Sequence, residues 1–226
     1  MKSPIYHRIF NYDTARLPNR HLAVLEEGVN SIDEAYTLTG ATIGYPGWGL
    51  IYYLLLSHLD QNRTEIIIET GTNYGCTTII LAQAMVDAGC KGRVVSFEND
   101  PKNVNIAARN ISMAGLSDRV EIIVGDSRSI LRQVLKYENG IRSVFLDASH
   151  LYNDVLKEFE SLLPKLSSDA IVIFDNTYKI ADDGEDTRVN GALKTIKVKY
   201  GGNLINLEHV SWYTPGLSIW QRVPCL

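Results

Sequence analysis

Asp147 and His150 stand three positions apart in Leu146-Asp147-Ala-Ser-His150, and a second polar pair, Asp175-Asn176, closes the apolar run Ala170-Ile-Val-Ile-Phe174. Two carboxylates and an amide oxygen make a hard, all-oxygen donor set that suits Mg²⁺, with Mn²⁺ also acceptable, and the lack of thiolates argues against zinc. A cation there would polarise a bound hydroxyl and lower its pKa, and His150 is placed to take the proton near neutral pH. Two neighbouring substrate oxygens would bind naturally to such an ion. Each residue also has a plainer reading. Asp175-Asn176 can make an Asx-turn, and a lone histidine is often a structural hydrogen-bonding residue, as His7, His21, His58 and His209 are taken to be. The coincidence of all four groups carries the chemical reading.

A second set of residues suits a nucleotide-like ligand. The run Glu69-Thr-Gly71-Thr-Asn-Tyr-Gly75-Cys-Thr77 follows a β-branched segment and leads into a helix. Glycines there let the backbone turn sharply against a ligand, beside the free amides of a helix N-terminus. Their spacing is G-x-x-x-G rather than the G-x-G-x-x-G of a dinucleotide cradle, which counts against a pyrophosphate. Glu98 follows the next β-rich run and is placed to accept from ribose hydroxyls, a device that nicotinamide enzymes share. Asp126, in Gly125-Asp126-Ser127, is placed either to accept from an adenine amino group or to cap the following helix.

The elements that must carry these residues are short β-branched runs alternating with helical patterns: Glu65–Glu69, Arg93–Phe97, Val120–Val124, Ser143–Leu146 and Ala170–Phe174. The last two are too apolar for half-exposed strands and read as buried on both faces of a parallel sheet. Asp100-Pro101 starts a helix that ends near Gly115. The expected class is α/β with right-handed crossovers, a Rossmann-like sheet with helices on both faces. After Asp175 we expect an acidic loop at Ala181–Asp186 that could act as a lid, a helix over Val189–Tyr200, and strands near Leu204–Val210 and Leu217–Arg222. Residues 1–60 read as a mainly helical arm, with a capping box at Ser31–Glu34 and a turn over Gly44–Gly49, and residues 61–226 as the main domain.

With 226 residues, 45% of them hydrophobic, the chain can bury a substantial core. Its net charge of −4 and scattered basic residues give no footprint for a polyanion, so nucleic acid is not an expected partner. Cys76, Cys90 and Cys225 are widely and irregularly spaced, which suits a reducing cytoplasm better than a disulfide framework. No apolar stretch approaches the ~18 residues of a membrane span, so no membrane association is expected.

The ordered set of motifs resembles the class I S-adenosylmethionine-dependent methyltransferases over about residues 42–222, especially the metal-dependent O-methyltransferases of catechols, caffeoyl-coenzyme A and macrolide sugars. The resemblance implies that Glu69, Gly71, Gly75 and Thr77 line the methionine part of the cofactor, and that Thr72 and Asn73 bind the cofactor too. It implies that Glu98 serves the ribose, that Asp126 and Ser127 fall where the adenine is held, that Asn99 also binds the cofactor, and that Asp147 touches both cofactor and metal. It further makes Asp147, Asp175 and Asn176 the metal ligands and His150 the base. Catechol-type enzymes carry lysine at that last position, and Asp-x-x-His-x-Tyr, here Asp147 to Tyr152, is more similar to the macrolide-sugar type. A seven-stranded sheet with the last strand antiparallel is implied, as are a small diol, catechol or sugar as acceptor and a homo-oligomer, dimer or larger. Two rivals are a nicotinamide-dependent oxidoreductase, disfavoured by the missing third glycine, and a non-catalytic cofactor-binding protein. The acceptor walls are expected in the N-terminal arm and in residues 178–190; Trp48, Tyr178 and Trp212 could line the acceptor pocket or pack in the core.

Overall fold

The computed structural model describes residues 17–27, 29, 32–40, 43–44, 47–136, 138–177, 188–208 and 216–223. The expected lid over residues 181–186, Ser31 of the capping box, residues 209–215 with His209 and Trp212, and Tyr178, His7 and Cys225 lie outside them.

Among the described residues a seven-stranded sheet runs in the order β3-β2-β1-β4-β5-β7-β6. Its strands are β1 (Thr64–Thr70), β2 (Lys91–Glu98), β3 (Val120–Val124), β4 (Ile141–Leu146), β5 (Leu166–Asp175), β6 (Asn203–Leu207) and β7 (Leu217–Gln221). The first five are mutually parallel, and β7 lies antiparallel to both β5 and β6. Helices α1 (Arg20–Glu26), α2 (Ile32–Thr39) and α3 (Gly47–His58) precede the sheet, and α4 (Cys76–Asp87), α5 (Pro101–Met113), α6 (Ser127–Val134), α7 (Tyr152–Leu162) and α8 (Val189–Tyr200) connect its strands.

Side-chain alternation along the strands divides the core in two. Ile67, Phe145, Ile171 and Ile173 face α3, α4 and α5, where Trp48, Ile51, Ile79, Met85 and Ile111 pack. Their neighbours Ile68, Val144, Val172 and Phe174 face α6, α7 and α8 with Leu131, Phe159 and Ile196. All six residues of β4 are buried, so its unbroken apolar character follows from having a helical layer on each side. Helix α5 begins as its sequence indicates: Asp100 caps it by accepting from the Lys102 amide, Pro101 opens the first turn, and Gly115 at φ 75° follows its end.

Trp48 is fully buried and its indole N–H donates to Thr77 Oγ1 at 3.4 Å, so of its two sequence readings core packing is the one observed. Strands β4 and β5 start earlier than their β-branched segments indicate, at Ile141 and Leu166. The pairing of Ile141 with Leu166, ahead of a register shift, extends both strands through polar residues that periodicity alone leaves in loops.

Candidate active site

Chain order reverses across β1, which has β2 on one side and β4 on the other, so the loops at the carboxyl ends of these strands part to form a crevice. A cavity of about 520 Å³ opens there. It is lined by Gly71 and Asn73 after β1, Glu98 at the end of β2 and Asn99 after it, Gly125 to Arg128 after β3, Asp147 to Leu151 after β4, and Asn176 after β5, with Asp154 and Glu158 of α7.

The turn after β1 owes its shape to positive φ at Gly71 (85°), Asn73 (49°) and Gly75 (81°). Gly71 is required for a second reason: a Cβ there would lie 2.4 Å from the Asp147 carbonyl oxygen, so the tips of β1 and β4 approach backbone to backbone. The Gly71 and Thr72 amides both donate to the Phe97 carbonyl, fastening the turn to β2. Glu98 is 7% exposed; its Oε1 accepts from the Asn99 and Asp100 amides and its Oε2 from the Asn73 amide at 2.7 Å, leaving Oε2 room for one further donor. The Asn73 side-chain amide donates to the Gly40 carbonyl, which seats the end of α2 on this turn.

Four of the residues that the resemblance gives to the cofactor also hold the turn and its neighbours together. Glu69 is fully buried, its Oε2 accepting from Thr78 Oγ1 at 2.5 Å and Ser96 Oγ at 2.6 Å, while Oε1 has no partner. Burial pushes its carboxyl up to about 7. Thr72 spends its hydroxyl on Ser96, and Thr77, the first-turn threonine of α4, faces Trp48. Gly75, in the left-handed conformation, caps α4 and packs against Ala107 of α5.

At the other end of the cleft Asp126 caps α6 and also faces the cavity. Its Oδ1 accepts from the Arg128 amide and Nε, and its Oδ2 from an Arg128 terminal nitrogen at 2.7 Å; these bonds hold its carboxyl below the usual range. Ser127 Oγ donates to Glu158 Oε1.

Asp147, His150 and Asp175 each offer a ligand atom within 4.8 Å of the others, and Asn176 adjoins them. His150 Nε2 lies 3.3 Å from Asp147 Oδ1, and Asn176 Nδ2 lies 3.0 Å from the His150 ring nitrogens. Asn176 reaches in because its backbone takes a positive φ of 54° directly after β5. Asp175 Oδ1 and Asn176 Oδ1 are buried and, among the described residues, have no hydrogen-bond partner. Burial pushes Asp147 up to about 8 and raises Asp175 well above its ordinary value, with the Asp147 charge adding to the rise at Asp175. Burial also lowers His150, which favours the neutral imidazole. The donor set fits a divalent cation: two buried acidic groups side by side and, among the described residues, two oxygens without a hydrogen-bond partner.

Sequence reasoning missed Arg128 and Glu158. Glu158 had a readable signal, because it falls among Val155, Phe159 and Leu162 on the face of α7 that periodicity assigns to the core.

A family model for a methyltransferase domain, Methyltransf_24, matches residues 68–177. Catechol O-methyltransferase of Mycobacterium tuberculosis is 29% identical over 173 residues, covering 75% of this chain and 74% of that protein. Catechol O-methyltransferase of Niastella koreensis is 37% identical over 95 residues, spanning 42% of this chain and 41% of its own length. The crystal structure of an O-methyltransferase from Bacillus cereus in complex with SAH superposes with a TM-score of 0.71 at 25% identity, over 95% of this chain and 93% of that one. No helix among the described residues is long and apolar enough to cross a membrane. The cleft at the β1–β4 switch, the domain match across its strands and the likeness along nearly the whole chain lead to one assignment: this is a class I S-adenosylmethionine-dependent O-methyltransferase related to the catechol and caffeoyl-coenzyme A enzymes.

Proposed function

We propose that the chain methylates one of two neighbouring oxygens on a small diol, catechol or sugar, with Asp147, Asp175 and Asn176 holding Mg²⁺ or Mn²⁺ and His150 acting as general base. The observation that carries this reading is the pair of buried, unpartnered oxygens, Asp175 Oδ1 and Asn176 Oδ1, beside Asp147. A buried oxygen left unsatisfied costs about 1–3 kcal/mol, so two at one strand tip mark a place prepared for a ligand. When bound, a divalent ion supplies the charge that lowers the pKa of a chelated hydroxyl.

The chain's own residues supply the rest. With its proton on Nε2, His150 would donate to Asp147 Oδ1 and present Nδ1 to the acceptor's proton once the Asn176 amide, 3.0 Å from that nitrogen in the ligand-free chain, has turned its oxygen to the metal. Its depressed pKa keeps it neutral at physiological pH, ready to accept. Glu98 would take a ribose hydroxyl on the open side of Oε2, and Asn99, Asp126 and Ser127 would bound the adenosyl end. Gly71, Thr72, Asn73 and Gly75 would bring backbone to the methionine moiety. Positioning two reactants in one crevice accounts for much of the expected acceleration. The names of the catechol O-methyltransferases and the opening of the cavity beside His150 support an acceptor of that size.

Turnover with a panel of catechols and glycosides tests the proposal. Methyl transfer to at least one vicinal-oxygen acceptor is expected with Mg²⁺ and should vanish with a chelator. Transfer that is indifferent to metal removes the metal from the account, and transfer restricted to amines or thiols removes the hydroxyl.

A further inference from the structure

Helix α7 turns one acidic edge toward the start of α6. Asp154 and Glu158 are one helical turn apart on the same face, and each engages a different residue of the α6 N-terminus. Asp154 Oδ2 accepts from an Arg128 terminal nitrogen at 2.8 Å, and Glu158 Oε1 accepts from Ser127 Oγ. Glu158 also reaches the opposite wall of the cleft, where its Oε2 accepts from Thr70 Oγ1 at 3.2 Å. Thr70 is the last residue of β1, directly before Gly71, and Ser127 follows Asp126 at the far end of the cavity.

Packing alone does not explain an acid at this position. Glu158 is fully buried beside Val155, Phe159 and Leu162, its hydrogen-bond partners are two hydroxyls, and burial pushes its carboxyl up to about 7. An apolar side chain would serve the core at lower desolvation cost. What Glu158 does that an apolar residue could not is join two elements that share no strand pairing or helical turn.

We propose that Glu158 is a positioning residue of the cofactor cleft: its carboxyl ties the start of the glycine turn to the start of α6 and so sets the spacing of the walls between which the adenosyl group lies. This rests on the cofactor assignment alone, not on the metal or the acceptor.

Calorimetric titration with S-adenosylhomocysteine, paired with thermal unfolding of the ligand-free proteins, tests it without any knowledge of the acceptor. Glu158→Leu, which leaves the Thr70 and Ser127 hydroxyls without their acceptor, is expected to unfold at a lower temperature than the unaltered chain and to bind S-adenosylhomocysteine roughly tenfold more weakly. Glu158→Gln, which keeps one acceptor oxygen and gains a donor for the other hydroxyl, should recover part of that loss. Thr70→Val should weaken binding in the native background and add little on top of Glu158→Leu. If Glu158→Leu does not fold, the Gln and Val variants alone decide, since both are near-isosteric. Unchanged affinity in folded Glu158 and Thr70 variants overturns the proposal, as does fully additive loss in the double variant. Failure of the unaltered chain to bind S-adenosylhomocysteine would instead strike at the cofactor reading.

Discussion

His150 touches both halves of the proposed chemistry, because its Nε2 leans on Asp147 while its ring borders the cavity. It can serve as base or as a fourth ligand, and the two roles separate in measurement. As a base, His150→Ala should lower turnover by roughly 10²-fold or more while leaving Mn²⁺ affinity within a factor of about two. A parallel loss of Mn²⁺ affinity would make the imidazole a ligand. With Mg²⁺ saturating, the acidic limb of kcat should fall below the ordinary histidine value of 6.5, since burial lowers His150, and should disappear in the variant. At this scale the sequence was informative where a residue closes a strand: Asp147, Asp175, Asn176, Glu98 and Asp126 all stand at strand tips. At Thr77 the motif position suggests a ligand, and the first turn of α4 also sets its hydroxyl beside the Trp48 indole. The sequence was silent on Arg128, whose bond to Asp154 depends on how α6 and α7 pack, a tertiary fact that no local pattern encodes.

The turn after β1 is the element on which the cofactor end depends. Its shape is set where Gly71 meets the Asp147 carbonyl, so the glycine turn and the first proposed metal ligand are built against each other. Gly71→Ala meets two obstacles, a positive φ and a backbone overlap. Gly115→Ala meets only the first, because nothing lies within 4 Å of a Cβ at that position. Urea unfolding should therefore show a loss of about 1 kcal/mol at Gly115 and about 2–4 kcal/mol at Gly71, with cofactor binding impaired only in the latter. Equal losses would mean that the approach of the two strand tips is not rigid. The parallel strands were legible because burial on both faces leaves unbroken apolar runs, and α5 because Asp100, Pro101 and Gly115 mark its ends. The polar starts of β4 and β5 were not, since strand pairing rather than side-chain pattern holds them.

Taken whole, the molecule gathers, among the described residues, four buried carboxyl groups with raised pKa at the carboxyl edge of its sheet. Glu69 and Glu158 are pushed up to about 7, Asp147 to about 8 and Asp175 well above its ordinary value, in every case chiefly by burial. Such a cluster retains protons in the ligand-free protein, and positive charge arriving in the cleft favours their release. Both proposed guests, a sulfonium and a divalent metal, bring that charge. The sign follows directly: a metal ion must displace protons from Asp147 and Asp175, so its apparent affinity should strengthen as pH rises through about 8. The architecture itself was foreseeable from alternation and strand-tip chemistry, whereas this electrostatic character arises only when four distant segments converge. Calorimetric titration of Mn²⁺ into the S-adenosylhomocysteine-loaded chain and its Asp175→Ala variant addresses the metal claim most directly. The account predicts one ion bound by the unaltered chain, more tightly as pH rises, and none by the variant, with S-adenosylhomocysteine affinity nearly equal in the two. Mn²⁺ binding of equal strength in both would contradict it, and so would a variant that loses the nucleoside as completely as the metal.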